Sequence, residues 1–115
     1  MNLASWGAQL RKGAAELAVL ASLRDGPSYG LALLEHIRET AGLEVSEGSI
    51  YPLLNRLQRD GKIAARWVED AGASHPRKYY ELTVAGAALL THMVEEWRRF
   101  EASMNRLIPE GVKHG

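Results

Sequence analysis

The last third of the chain carries apolar side chains at a spacing that a long helix would place on one face. These residues recur three and four positions apart: Leu90, Met93, Trp97, Phe100, Met104 and Leu107. This is the a/d spacing of a coiled-coil seam. Thr83 is suited to cap the start of such a helix, and Pro109 follows its expected end at Ile108. The helix outruns the single small domain that 115 residues form, so we expect its distal half to pack on a second copy of the chain.

Three shorter helices are predicted before it, each from apolar residues at the helical period. The first spans about Leu10 to Leu23 and is apolar on nearly all sides, so it must be covered on all sides. Trp6, just before it, is either disordered or covers an interface between copies. The second helix occupies residues 28–42. The third starts at the N-cap Ser46 and ends near Asp60. Its predicted core stripe is Ile50, Leu53, Leu54 and Leu57.

Two strands are predicted between the third helix and the last one, because the apolar period there falls to two. The segments are residues 62–69, KIAARWVE, and residues 77–82, RKYYEL, joined by a turn-rich loop. Together they form a hairpin, from which Trp67 is expected to pack onto the core.

The order of these elements, three helices, a hairpin and a helix, is that of a winged helix-turn-helix. The predicted fold class is therefore mainly α (α+β), with the third helix placed to enter a DNA major groove and the hairpin as the wing. Residues 1–82 are expected to form the DNA-binding domain with its N-terminal helix, residues 83–108 the dimerisation helix, and residues 109–115 a tail.

The third helix carries two residues that weaken helices, Gly48 and Pro52. In a helix interior, glycine costs about 1 kcal/mol and proline about 3 kcal/mol. Both lie opposite the predicted core stripe, together with Asn55 and Arg59. A low outer surface lets the backbone approach base edges, and a proline ring can touch a thymine methyl. The alternative is a structural kink at Tyr51-Pro52 that turns the helix over the core.

Polar residues on and beside this outer face have the chemistry of a DNA reader. Asn55 can read adenine, and Arg56 or Arg59 can read guanine or hold a phosphate. Ser46 and Ser49, beside the N-terminal amides of the helix, are suited to a phosphate.

The hairpin supplies a second basic cluster. Between Lys62 and Lys78, four Lys or Arg side chains stand against the two acids Glu69 and Asp70, although the formal net charge of the whole chain is zero. The predicted DNA contacts of the third helix and the hairpin together are Ser46, Ser49, Tyr51, Pro52, Asn55, Arg56, Arg59, Lys62, His75, Arg77, Lys78 and Tyr79.

Other classes of function find little support in the residues. The chain has no cysteine, and the pair His92 and Glu96 lacks an evident third ligand, so no metal site or other cofactor is expected. No nucleophile, base and orienting group suggest an enzyme. No apolar run reaches the ~18 residues of a membrane span. The N-terminus lacks the order of a signal peptide, so a cytoplasmic protein is expected.

Five segments resemble the PadR family of transcriptional regulators: LRKGAAELAVLASL, GPSYGLALLEHIRE, LEVSEGSIYPLLNRLQRDGKI, HPRKYYELTVAG and MVEEWRRF. The short C-terminus is similar to the compact subgroup of that family. One departure is the wing sequence ASHPRKYY, where family wings often have GRPRKYY.

The resemblance implies a homodimeric repressor on a pseudo-palindromic double-stranded operator, with the first and last helices forming the dimer. It also implies a planar, apolar effector bound near the dimer axis. The residues expected at the effector site and dimer interface are Leu17, Met93, Trp97, Phe100 and Met104. Two alternatives stay open: the aromatic residues serve only as seam packing, or the dimer mediates protein–protein contact without binding DNA.

Overall fold

The computed structural model describes residues 2–69, 72 and 74–111. Its elements are α1 (Leu3–Ser22), β1 (Ser28–Tyr29), α2 (Gly30–Ala41), α3 (Glu47–Arg59), β2 (Ile63–Val68), β3 (Arg77–Leu82) and α4 (Val84–Leu107). The predicted order of three helices, a hairpin and a long last helix is confirmed. Asp70 of the predicted basic hairpin, its neighbours Ala71 and Ala73, and residues 112–115 of the predicted tail lie outside the described residues.

The core lies where α1, α2 and α3 meet the sheet. Its buried side chains are Val19, Leu20, Leu23, Leu33, Leu34, Ile37, Ile50, Leu54, Leu57, Ile63, Tyr80 and Leu90. The predicted stripe of α3 therefore faces the core, with Leu53 partly buried at its edge. The first half of α4 packs on this core through Leu90, whereas every residue from Glu95 to Leu107 is exposed. The distal half of α4 thus extends past the core, and the chain measures 53 × 28 × 22 Å.

The first helix begins at Leu3 and not near Leu10, so the predicted boundary is wrong. Asn2 is the N-cap, and its Oδ1 accepts a hydrogen bond of 2.7 Å from the Ser5 amide. Such a cap satisfies an amide that the first turn of a helix otherwise leaves without a partner. Trp6 consequently lies inside α1, where it is 52% exposed.

A third strand precedes α2 where the sequence predicted the start of that helix. Ser28 and Tyr29 pair antiparallel with Tyr80 and Tyr79, which gives the sheet the order β1-β3-β2. The rings of Tyr29 and Tyr79 meet edge to face, with centroids 5.4 Å apart. β1 therefore ties the start of α2 to the base of the hairpin.

The start of α4 is fixed against the junction of α3 and β2. The Thr83 hydroxyl accepts from the Gly86 amide at 3.0 Å and donates to the Gly61 carbonyl at 2.6 Å. The Thr83 amide donates to the Lys62 carbonyl at 3.2 Å. A Cβ on Gly86 would lie 1.8 Å from that Lys62 oxygen, so only glycine permits this approach. The direction of α4 is thereby coupled to the end of α3.

Trp67 does not pack on the core, and that prediction is wrong. Its side chain is 69% exposed, although Ile63 on the same strand is buried and Ala65 partly buried. The reason is that the hairpin extends past the core, where Trp67 is paired with Lys78. Within the described residues, no helix combines the length and apolar character that crossing a bilayer requires.

Candidate nucleic-acid interface

The outer face of α3 points away from the protein, as its wheel predicts. Gly48, Pro52, Asn55 and Arg59 are all exposed, whereas Ile50, Leu54 and Leu57 on the opposite side are 0–1% exposed. These four residues are called the outer face below. Along the helix, two short apolar positions, Gly48 and Pro52, are followed by an amide, Asn55, and a guanidinium, Arg59.

Nothing in the fold requires a glycine at position 48. Its φ is not in the left-handed region, and the nearest neighbour of an added Cβ would be the Ser46 hydroxyl at an ordinary 3.8 Å. Pro52 lies inside α3 and has no N–H to bond the Gly48 carbonyl, yet the helix continues to Arg59. Two residues that disfavour helices therefore share an exposed surface, which is the pattern expected where an incoming group needs space.

The turn between α2 and α3 is held by backbone geometry and by one arginine. Gly42 closes α2 with a φ of 66°, and the Arg38 Nε donates to the Val45 carbonyl at 2.8 Å. Ser46 occupies the N-cap position, but its side chain does not cap the helix. Its hydroxyl instead lies 3.1 Å from that of Ser49. The two hydroxyls therefore form an exposed polar pair at the N-terminus of α3.

Tyr51 lies on the edge of α3 that faces α2. Its ring packs against Gly30, where an added Cβ would come within 2.6 Å of a ring carbon, and 38% of the residue stays exposed. Burial raises the pKa of the neighbouring Tyr80 hydroxyl above its usual value near 10, and the nearby Tyr51 hydroxyl raises it further. Tyr51 is thus part of the packing between α2 and α3 as well as an edge of the outer face.

Arg56 lies on the opposite edge of α3, which faces α1. Its Nη2 donates to the Glu16 Oε2 at 3.0 Å, and the two side chains are 48% and 35% exposed. Sequence reasoning missed Glu16, because nothing local signals a contact between residues this far apart in the chain. The pair lies in a groove of about 1010 Å³ between α1 and α3, which Arg11, Lys12 and Arg59 also line.

The basic residues of the hairpin rest partly on aromatic rings. The Arg77 guanidinium lies 4.3 Å from the centroid of Tyr29, and the Lys78 ammonium lies 5.5 Å from that of Tyr80. Cation–π contacts of this kind hold a charged group over the face of a ring. Lys62 is partly buried at the start of the hairpin, whereas His75 near the tip is exposed. The cations predicted on β3 are therefore held by the sheet.

An apolar stripe runs along the exposed half of α4. Trp97, Phe100 and Met104 are 40%, 52% and 36% exposed, and the first two rings lie 6.3 Å apart between centroids. Leu17 and Met93, which the sequence grouped with them, are partly buried against the edge of the core. This stripe is a contiguous apolar surface that the described part of the chain leaves uncovered.

Residues 19–92, more than half of the chain, match the model of the Transcriptional regulator PadR-like family. The Transcriptional regulator Rv3488 of Mycobacterium tuberculosis is 32% identical over 107 residues, which cover 92% of this chain and 92% of that protein. An uncharacterised 37.1 kDa protein in transposon TN4556 of Streptomyces fradiae is 30% identical over 106 residues, or 91% of this chain. The chain spans only 29% of the length of that second relative.

A solved structure has the same fold. The crystal structure of a PadR family transcriptional regulator from Eggerthella lenta matches with a TM-score of 0.80 and 32% sequence identity. The match covers 95% of this chain and 94% of that one.

Proposed function

The chain belongs to the PadR-like family of transcriptional regulators, and we propose that it is a homodimeric repressor of a pseudo-palindromic operator. The observation that carries this proposal is the outer face of α3, which presents Gly48, Pro52, Asn55 and Arg59 to solvent. In helix-turn-helix dimers the two recognition helices enter successive major grooves about 34 Å apart. The operator would therefore have two half-sites one helical turn apart.

DNA binding and dimerisation are assigned to different segments of the chain. Residues 1–82 bind DNA, α3 reads bases, and the hairpin cations Lys62, Arg77 and Lys78 hold the phosphate backbone. Residues 83–108 dimerise, because the apolar stripe of α4 is exposed in one chain and a second copy can bury it. Residues 109–115 are a tail without a role in either. The protein acts in the cytoplasm, where its operator is.

The recognition helix and the hairpin are proposed to have different roles in DNA binding, Asn55 on the helix and Arg77 and Lys78 on the hairpin. Asn55 is assigned to base reading because an amide side chain can bond adenine through both of its polar atoms. The wing cations are assigned to phosphates, which carry affinity but no sequence information. His75, Tyr79, Ser46 and Ser49 are assigned to the same backbone.

Selection of bound fragments from random DNA at two salt concentrations tests DNA binding directly. We expect a two-fold symmetric site, with an affinity that falls by about 0.9 log units per log unit of salt for each phosphate contact. Asn55→Ala should relax the base preference, whereas Arg77→Ala with Lys78→Ala should weaken binding to all sequences. Lys113→Ala, in the C-terminal tail, is the matched control and should change neither.

Two results would contradict this assignment. A salt response that is flat would favour a dimer that serves protein–protein contact without DNA. An Asn55→Ala protein with an unchanged base preference would remove that residue from base reading. Placing the selected site before a reporter gene then separates repression, in which expression falls, from activation, in which it rises.

We further propose that a planar, apolar effector binds between the α4 helices and releases the operator. Trp97 and Phe100 are the proposed contacts, because their partly exposed rings lie together on the apolar stripe. Release requires that the effector prefer the dimer geometry that does not fit DNA, since equal affinity for both states shifts nothing.

Tryptophan fluorescence tests the effector site. Trp6→Phe combined with Trp67→Phe leaves Trp97 as the single tryptophan of the chain. Planar, apolar dyes should quench it, and Trp97→Ala should abolish dye binding in a protein that stays folded and dimeric. Equal dye binding by that variant would reduce Trp97 to a packing residue.

A further inference from the structure

The contact between Glu16 and Arg56 joins two elements with different roles. Arg56 belongs to α3 and borders the outer face, whereas Glu16 belongs to α1. The Nη2 to Oε2 distance of 3.0 Å is that of a charge-assisted hydrogen bond. It ties the edge of the outer face to a neighbouring helix through side chains of opposite charge.

The position of Glu16 is itself fixed. It lies one turn before Val19 and Leu20, which are 1% and 0% exposed, so the backbone that carries the carboxylate is anchored in the core. Arg56 lies one residue before Leu57, which is 1% exposed. The two side chains therefore reach each other from buried supports, and the arginine side chain is the longer and the more exposed of the two.

The surroundings explain why a carboxylate matters at this place. The groove between α1 and α3 is lined by the cations Arg11, Lys12 and Arg59 besides Arg56, and by one acid, Glu44, besides Glu16. Of the two acids, Glu16 is the one that bonds Arg56. Without Glu16 beside it, the Arg56 side chain would be repelled by these cations and could move to bind any phosphate within reach. A guanidinium has several N–H donors in a planar fork, and one bond to Glu16 leaves the others available to a base or a phosphate.

We propose that Glu16 is a positioning residue that makes Arg56 selective. It holds the guanidinium at the edge of the outer face, so that Arg56 meets one base step instead of binding the backbone indiscriminately. The inference rests on the proposed DNA binding and adds to it a residue of α1 that touches no base. Holding an arginine in place before binding should contribute about 3- to 10-fold to discrimination, because an immobilised side chain no longer loses its freedom on binding.

The test is the ratio of two affinities, measured for the wild-type protein and for Glu16→Gln. Each protein is titrated against the operator obtained by selection and against a scrambled duplex of equal length. We expect Glu16→Gln to lower the ratio about 3- to 10-fold. Operator binding weakens, whereas binding to the scrambled duplex is unchanged or stronger. Glu110→Gln, an exposed acid beyond the dimerisation helix, is the matched control and should leave the ratio unchanged.

A double-variant cycle shows whether Glu16 acts through Arg56. In an Arg56→Ala background, Glu16→Gln should have no further effect on the ratio. A merely structural role of Glu16 would lower both affinities together and would lower the urea midpoint of unfolding, with no change in the ratio. An unchanged ratio, or an effect that persists without Arg56, overturns the inference while DNA binding by the wild-type protein stands. If the wild-type protein itself fails to select a sequence, the proposed function fails and the inference fails with it.

Discussion

Gly48 lies in the first turn of α3, where alanine should fit without strain. The residue is helical, exposed and not in the left-handed region, and a Cβ there would meet the Ser46 hydroxyl at 3.8 Å. Glycine in a helix is less favourable than alanine by roughly 0.5–1 kcal/mol. Gly48→Ala should therefore raise the free energy of unfolding by about that amount.

The same substitution should weaken DNA binding. A methyl group on the outer face stands between the backbone of α3 and the base edges, so contacts made by Pro52 or Asn55 must lengthen. Loss of one good base contact corresponds to about 1–3 kcal/mol, or roughly five- to 150-fold in the dissociation constant. We expect operator affinity to fall by at least about fivefold and affinity for a scrambled duplex to change much less.

Urea unfolding followed by circular dichroism measures the stability, at a fixed protein concentration because a dimer is proposed. Fluorescence anisotropy with a labelled operator measures the binding. Gly13→Ala is the matched control, since Gly13 is an exposed helical glycine of α1 with nothing within 4 Å of its added Cβ. It should stabilise the protein similarly and leave operator affinity unchanged. A Gly48→Ala protein that is more stable and binds the operator as tightly as the wild type would refute the functional explanation of this glycine.

Two further substitutions test the packing that supports the site. Gly86→Ala places a Cβ 1.8 Å from the Lys62 carbonyl oxygen, a backbone atom that cannot rotate away. It should lower the free energy of unfolding by about 1–3 kcal/mol in urea titrations, and a loss below about 1 kcal/mol would contradict the observed approach of α4. Because burial raises the pKa of Tyr80, the folded state favours the neutral phenol, and stability should fall as pH rises from the unfolded value near 10 through the higher folded value. Tyr80→Phe should flatten that decline, as unfolding midpoints compared at pH 8 and pH 11 can show, and an equal decline in both proteins would contradict it.

Periodicity predicted those elements whose side chains are divided between core and solvent. The amphipathic pattern located α3 and α4 for this reason. Their ends were predicted from residues that begin or stop helices: Ser46 and Gly61 for α3, Thr83 and Pro109 for α4. The orientation of the outer face follows directly from the buried stripe of α3. No further information is needed to place Asn55 on the outside.

The predictions that failed concern two kinds of feature. Some depend on contacts between residues far apart in the sequence, and others involve too few residues to show a periodic pattern. β1 has two residues, which is too short to display a period, and it exists because β3 offers it a free edge. The extension of α1 to Leu3 has a local cap at Asn2 but few core contacts, so the apolar pattern gives no sign of it. Glu16 acquires its partner only when α1 and α3 pack together. Trp67 continues the alternation of apolar and polar residues along β2, but it lies in the part of the strand that extends beyond the core.

The contacts at the start of α4 connect the helix that carries the proposed effector site to α3, the proposed recognition helix. Gly61 and Lys62, at the end of α3, bond Thr83 directly, and Gly86 lets the backbone of α4 lie close against the Lys62 carbonyl. A change in the direction of α4 is therefore transmitted to α3. At a rise of 1.5 Å per residue, the 24 residues of α4 span about 36 Å, so a tilt of about 5° moves one end by about 3 Å. That displacement is close to the rise of about 3.4 Å per base pair, so in the proposed dimer a small change at the apolar stripe would be large enough to put the two recognition helices out of register with their half-sites.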